Sequence, residues 1–205
     1  GKKYESPWDE LNFDSCASPW APVHRGMAGI DEAISYRLFE LAGMASPRLH
    51  HVHFRVIDAA AEAPADQYAG DLWGLYTAIE QPDGSFLDDR NLPDGNVYKI
   101  EGGGGDKKHQ GATQPTNTSD WNTFRSASSS TQGEAYWRAN MNLPDYYTFR
   151  GCNRILGNVD VREGFNHYYY HHPNGQWQVI PWDLDMMFIA ETHWPGVIQQ
   201  EACLN

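Results

Sequence analysis

Asn166-His167-Tyr168-Tyr169-Tyr170-His171-His172-Pro173-Asn174-Gly175-Gln176-Trp177-Gln178-Val179-Ile180-Pro181-Trp182-Asp183-Leu184-Asp185 is the stretch that decides the fold. It reads as a β-hairpin. Residues 166–172 are rich in aromatic strand formers, Pro173-Asn174-Gly175 supplies the turn, and 176–183 is the return strand. The strand end Ile180-Pro181-Trp182 then delivers two acids. On a strand, Asp183 and Asp185 share one face, roughly 6–7 Å apart at the backbone. Carboxylates so placed repel unless a cation or a buried base stands between them. Hard oxygen donors with an amide partner such as Asn166 suit Mg2+ or Mn2+. The same aspartates also suit capping of the following turn, and the motif alone leaves both readings open. A further acid, Asp160, precedes the hairpin.

Working towards the N-terminus, Pro144 fits the first turn of a helix running to about Leu156, and Glu134–Arg138 also reads as helical. Residues 102–134 break the pattern. Four glycines and Asp106-Lys107-Lys108 lead into a tract of Ser, Thr, Asn and Gln, which reads as a flexible polar insertion. The glycine run lacks the G-K-[ST] ending of a phosphate-binding loop and reads as a hinge or part of that insertion. Val97–Ile100, Leu72–Glu80 and the alternating 51–58 stretch read as strands, the last two as an antiparallel pair with Gly70 near their connection. Met27, Ile30, Ile34, Leu38 and Leu41 recur at steps of three and four, one apolar face of a helix that Gly43 stops. Residues 1–23 read as loop, and Val197–Asn205 as the opening of a helix. The order of helix, strands, helices and hairpin gives an α+β domain.

Composition narrows the function classes. At 205 residues, the ratio 205/150 is about 1.4, so one domain is the default. With 40% apolar and 20% charged residues the chain can build a core. No apolar run is long enough to span a membrane. Lys and Arg number 15 against 27 Asp and Glu, and the net charge of −12 argues against nucleic acid as a partner. Cys16, Cys152 and Cys203 form no C-x-x-C pair, which excludes a zinc knuckle. One disulfide with a free thiol and three reduced thiols both fit. His167 and His171 share a strand face and read as exposed hairpin histidines, with a zinc site as the sharper alternative. The Tyr168–Tyr170 run reads as packing on both sides of a sheet.

The ordered set of segments resembles the spore-coat protein H (CotH) family of atypical kinases. Leu38–Gly43, the strand at 52–56, Gly74–Glu80, Ser85-Phe86-Leu87, Val97-Tyr98-Lys99, Gly157–Asp160, Asn166–Tyr170 and Trp177–Asp185 carry the resemblance over roughly residues 10–190. It implies a distant protein-kinase-like fold, with an antiparallel sheet and packed helices, that uses ATP and Mg2+ or Mn2+. The acceptor would be serine or threonine of another protein, in a secreted or cell-surface setting. Asp160 would orient the acceptor hydroxyl and take its proton. Asn166, Asp183 and Asp185 would hold the metal. Lys99 would be the phosphate-binding lysine and Glu80 its partner, with Lys2, Lys3 or a residue before Gly1 as other sources of that lysine. The resemblance also implies that 1–205 is one domain incomplete at both ends.

The chain departs from the protein-kinase pattern at three points. The separation 166 − 160 = 6 is one residue longer than in protein kinases, Asp183-Leu184-Asp185 stands in place of D-F-G, and no kinase-type Gly-rich loop is present. A non-catalytic coat or adhesion module on the same fold is therefore a second expectation. A metal-dependent glycosyltransferase, suggested only by Asp183-x-Asp185 beside aromatics, is a remote third.

Overall fold

A computed structural model describes residues 10–16, 29–57, 71–102, 104–158, 160–161 and 165–188. Lys2, Lys3, Met27, Gly70, Cys203 and the expected helix at 197–205 lie outside the described residues. The elements are β1 (Leu11–Asp14), α1 (Ile30–Leu41), β2 (Leu49–Val56), β3 (Asp71–Glu80), α2 (Gly84–Asp89), β4 (Asn96–Glu101), β5 (Gly104–His109), α3 (Ser119–Ser128), α4 (Glu134–Asn140), α5 (Leu143–Leu156), β6 (His167–His171) and β7 (Trp177–Pro181). They form two antiparallel sheets, β1-β3-β2 and β5-β4-β6-β7, with helices between and around them. The α+β class follows. Among the described residues no helix is long and apolar enough to cross a membrane.

The hairpin forms as its sequence requires. Tyr168 pairs with Ile180 and Tyr170 with Gln178. Gly175 takes a φ of 94° in the turn, and the His172 N–H donates to Gln176 O at 2.8 Å. The three tyrosines alternate across the sheet, and all are buried. Tyr169 meets Trp121, Phe124 and Trp177 on one face. Tyr168 meets Trp182 on the other, at 5.1 Å between ring centroids. Aromatic pairs of this kind contribute about 0.5–1.5 kcal/mol beyond their burial.

Four expectations need correction. The polar tract at 102–134 holds β5 and α3 and builds part of the core. Trp121 and Phe124 stand three residues apart, so one face of α3 is apolar while its composition stays polar. The glycine run opens β5, and Gly105 is required there because a Cβ would lie 2.5 Å from Trp121 Nε1. Leu11–Asp14, expected as loop, pairs with β3 from Glu80 to Thr77. His167 is buried, its Nδ1 2.7 Å from Phe165 O, so it is no exposed hairpin histidine. His171 stacks on Trp177 at 4.2 Å and bonds Asp120.

The fourth correction concerns α1. Its pattern is inside out: Ile30 (50% exposed), Ile34 (52%) and Leu41 (68%) face solvent. Asp31, Glu32, Ser35, Tyr36 and Phe39 are buried. Phe39 stacks on Phe149 of α5 at 5.8 Å. Periodicity identified the helix, but the acids it places inside belong to the site described below.

The N-cap Asn142 of α5 accepts from the Asp145 N–H, Pro144 sits in the first turn, and Gly157 ends the helix at a φ of 60°. Asp145 accepts from the Val179 N–H at 3.2 Å, which ties α5 to β7. Burial pushes its carboxyl up to about 6, opposed by that N–H. The contribution of this group is complete below the unfolded value near 3.8 and is lost as pH rises through 6. Asp145→Asn keeps an acceptor for Val179 and carries no charge. It should stabilise the chain at pH 8 by on the order of 2 kcal/mol, with no gain below about pH 4. Thermal unfolding of the two chains across this range checks both the sign and the window.

Candidate active site

Residues brought together from five parts of the chain meet at the exit of the hairpin. α5 ends at Gly157, and the next residue, Asn158, is 1% exposed. Its Oδ1 accepts the N–H groups of Asp160 (2.9 Å) and Val161 (3.0 Å), an Asx turn that sets the loop. Its Nδ2 donates to Asn153 Oδ1 at 2.7 Å, and Asn153 donates in turn to Phe149 O. Asp160 is thus fixed to the end of α5 by a chain of buried amides. Asn166 then donates from Nδ2 to Asp160 Oδ2 at 2.7 Å. Among the described residues its Oδ1 has no hydrogen-bond partner.

Asp183 and Asp185 do not lie on a strand. β7 ends at Pro181, and Asp183 takes a φ of 57°. Asn166 takes a φ of 61°. Both residues hold the left-handed conformation that Asn and Asp tolerate best among residues with a side chain. Conformations of this kind persist where the surroundings over-determine them, and they cluster at functional sites. Asp183 donates its backbone N–H to the Tyr36 hydroxyl at 3.2 Å.

The electrostatics follow from crowding. Burial raises Asp183, and the Asp160 carboxylate raises it further, while Lys99 opposes both. Asp185 is pushed up to about 7 by burial, then by Asp183 and Asp160. Glu32 of α1 is raised well above its ordinary value by burial, then by Asp14, Asp185 and Asp183, against a hydrogen bond from Thr77. Asp14, at the end of β1, and Glu32 belong to this acidic cluster, and the sequence reading missed both. Glu32 is buried on the inner face of a helix and Asp14 closes a short strand, and no periodicity reports either placement. Among the described residues no three His, Cys, Asp or Glu side chains stand close enough to hold an ion by themselves. A cation here would draw on Asp183, Asp185, the Asn166 amide oxygen and oxygens of its ligand. That donor chemistry fits Mg2+ or Mn2+, which take one or two carboxylates together with phosphate and water.

Five of the six expected site residues come together: Asp160, Asn166, Asp183, Asp185 and Lys99. Lys99 lies 3.6 Å from Glu101 and 5.9 Å from the Trp182 ring centroid. Glu80 does not join them as the partner of Lys99. It is bonded by Arg90 at 2.6 and 3.1 Å and by the Arg48 N–H at 3.0 Å. Arg90 also donates to Ser46 O and Phe86 O and lies over the Phe86 ring at 3.7 Å. Arginine outcompetes lysine for this buried carboxylate because its planar fork reaches both oxygens at once. Cys16 and Cys152 carry free thiols.

Compared with known families, the CotH kinase protein family matches residues 28–203. No curated protein matches the chain.

The Glu80–Arg90 pair makes a direct prediction. Arg90→Met leaves a carboxylate that is 2% exposed without its cation and should cost about 3–5 kcal/mol in urea unfolding. Adding Glu80→Gln should restore part of that loss. An Arg90→Met chain as stable as the parent would contradict the assignment.

Proposed function

The chain belongs to the CotH kinase protein family, and on that premise we propose that it is an atypical phosphotransferase. It transfers the γ-phosphoryl of ATP, with Mg2+ or Mn2+, to serine or threonine of another protein. The observation that carries the reading is the Asn166–Asp160 hydrogen bond set beside the two crowded aspartates. This pairs a fixed acceptor for a proton with a cluster of hard oxygens short of positive charge. The chain order of α5, Asp160, Asn166, hairpin and Asp183 supports a distant protein-kinase-like arrangement.

In this mechanism Asp160 accepts a hydrogen bond from the acceptor hydroxyl and takes its proton as the new phosphorus–oxygen bond forms. The bond to the ADP oxygen breaks on the opposite side. Asn166 holds Asp160 through Nδ2 and offers Oδ1 to the ion. Asp183 and Asp185 complete the protein's share of the ion's ligands, and Lys99 supplies positive charge beside them. The bound metal supplies neutralisation of charge on the phosphates.

One observation favours a second reading, a non-catalytic coat or surface module on the same fold. Among the described residues the ion-pair partner of Lys99 is the exposed Glu101, and Glu80 is taken by Arg90. A kinase lysine is ordinarily held by a dedicated glutamate.

Nucleotide binding separates the two. With ATP and Mn2+ at about 100 times Kd, mass action adds about 2.7 kcal/mol, a rise in Tm of roughly 5–10 °C for a chain of this size. The rise should need the metal and vanish in Asp183→Asn. No rise in the parent chain would favour the non-catalytic module, and a larger rise with a nucleotide sugar would favour a glycosyltransferase. Asp160→Asn should keep the rise with ATP and Mn2+ while losing phosphate transfer by at least a hundredfold. Radiolabel transfer to a serine/threonine peptide library measures the second effect.

A further inference from the structure

The inverted face of α1 does more than line the acidic cluster. Tyr36 is buried, and its hydroxyl is the acceptor for the Asp183 N–H, 147 residues away in sequence. Asp183 holds its left-handed φ of 57° at that contact. A backbone N–H in a half-buried site is costly to leave without an acceptor, so the hydroxyl favours this backbone state over the extended one that β7 would continue. The Tyr36 end of the contact is itself fixed. Its carbonyl accepts from Ser46 Oγ at 3.0 Å, and Phe39, one turn on, stacks against Phe149 of α5. α5 is also the helix whose end anchors Asp160 through Asn153 and Asn158. One helix thus gives Asp160 and Asp183 a common reference. Glu32, four residues before Tyr36, faces the same cluster under the hold of Thr77.

We propose that Tyr36 is a positioning residue for the metal-binding loop: its hydroxyl holds the Asp183 backbone so that Asp183 and Asp185 present their carboxylates to one ion. The inference rests on the metal reading above and adds to it a device on α1. Groups that orient a metal ligand without touching the ion typically govern its affinity by tenfold to a hundredfold.

The test is a Mn2+ titration, with and without ATP, read by the electron paramagnetic resonance of free Mn2+. The parent chain is compared with Tyr36→Phe and Phe124→Leu. Tyr36→Phe keeps the ring and should raise the Mn2+ Kd about tenfold or more. Phe124→Leu loosens the core under α3, away from α1 and Asp183, and should lower Tm yet keep the parental Kd. Deuterium uptake by the peptide 180–187, without metal, should quicken in Tyr36→Phe alone. Mn2+ affinity and exchange unchanged in Tyr36→Phe would overturn the proposal and leave the metal reading standing. Equal weakening in Phe124→Leu would overturn it as well, reducing the effect of Tyr36 to general stability. A parent chain that binds no Mn2+ would overturn the metal reading, and this inference would fall with it.

Discussion

Asp183 and Asp185 stand beside Asp160, Asp14 and Glu32 in a place where water screens them poorly, and carboxylates so gathered repel one another. A fold left to itself would disperse these groups. Here it pins them from several directions. Asn158 and Asn153 tie Asp160 to the end of α5, Asn166 ties Asp160 to the start of the hairpin, and Tyr36 ties the Asp183 backbone to α1. Each restraint is a hydrogen bond to a backbone group or a neutral amide, so none of them cancels the negative charge. Among the described residues Lys99 acts on Asp183, and it lowers the tendency to protonate without abolishing it. The acids are thus firmly held beside one another with little positive charge among the described residues.

Other ionic groups are committed elsewhere in the fold. Arg90 is engaged by Glu80, Ser46 and Phe86 at the far end of β3. Asp120 is held by Tyr98 at 2.6 Å, Asn96 at 2.9 Å and His171 at 2.9 Å, which joins α3 to the four-stranded sheet. Gln81 donates to the Tyr168 hydroxyl and accepts from Asn12, which links the two sheets. These contacts join elements of the core, and well-satisfied buried polar networks rigidify it. Asn96 has partners on both atoms of its amide, whereas Asn166 has only its Nδ2 engaged among the described residues.

Much of the architecture was legible because local signals agreed. Pro173-Asn174-Gly175 between aromatic runs made the hairpin, Pro144 marked the first turn of α5, and alternation marked β2. Where the reading failed, the cause was specific. α3 hides two core aromatics in a tract of Ser, Thr and Asn, so composition misjudged a helix that only its spacing reveals. α1 showed the right period with the wrong face inward, because the burial of Asp31, Glu32 and Tyr36 is imposed by what lies opposite. The D-x-D pair was placed on a strand because nothing local reports the left-handed φ at Asp183.

The sequence by itself determined the identities and order of Asp160, Asn166, Asp183 and Asp185, the hairpin that separates them, and the α+β class, since these depend on short-range patterns and on which atoms each side chain carries. Tertiary structure alone decided that Glu80 goes to Arg90 instead of Lys99. It also decided that Asp14 and Glu32 join the acids, and that Tyr36 meets Asp183 across 147 residues. The physical reason is that pairing, burial and the shift of a carboxyl's proton affinity depend on distances through space, and those are set only when the packed core fixes which face of each element points inward.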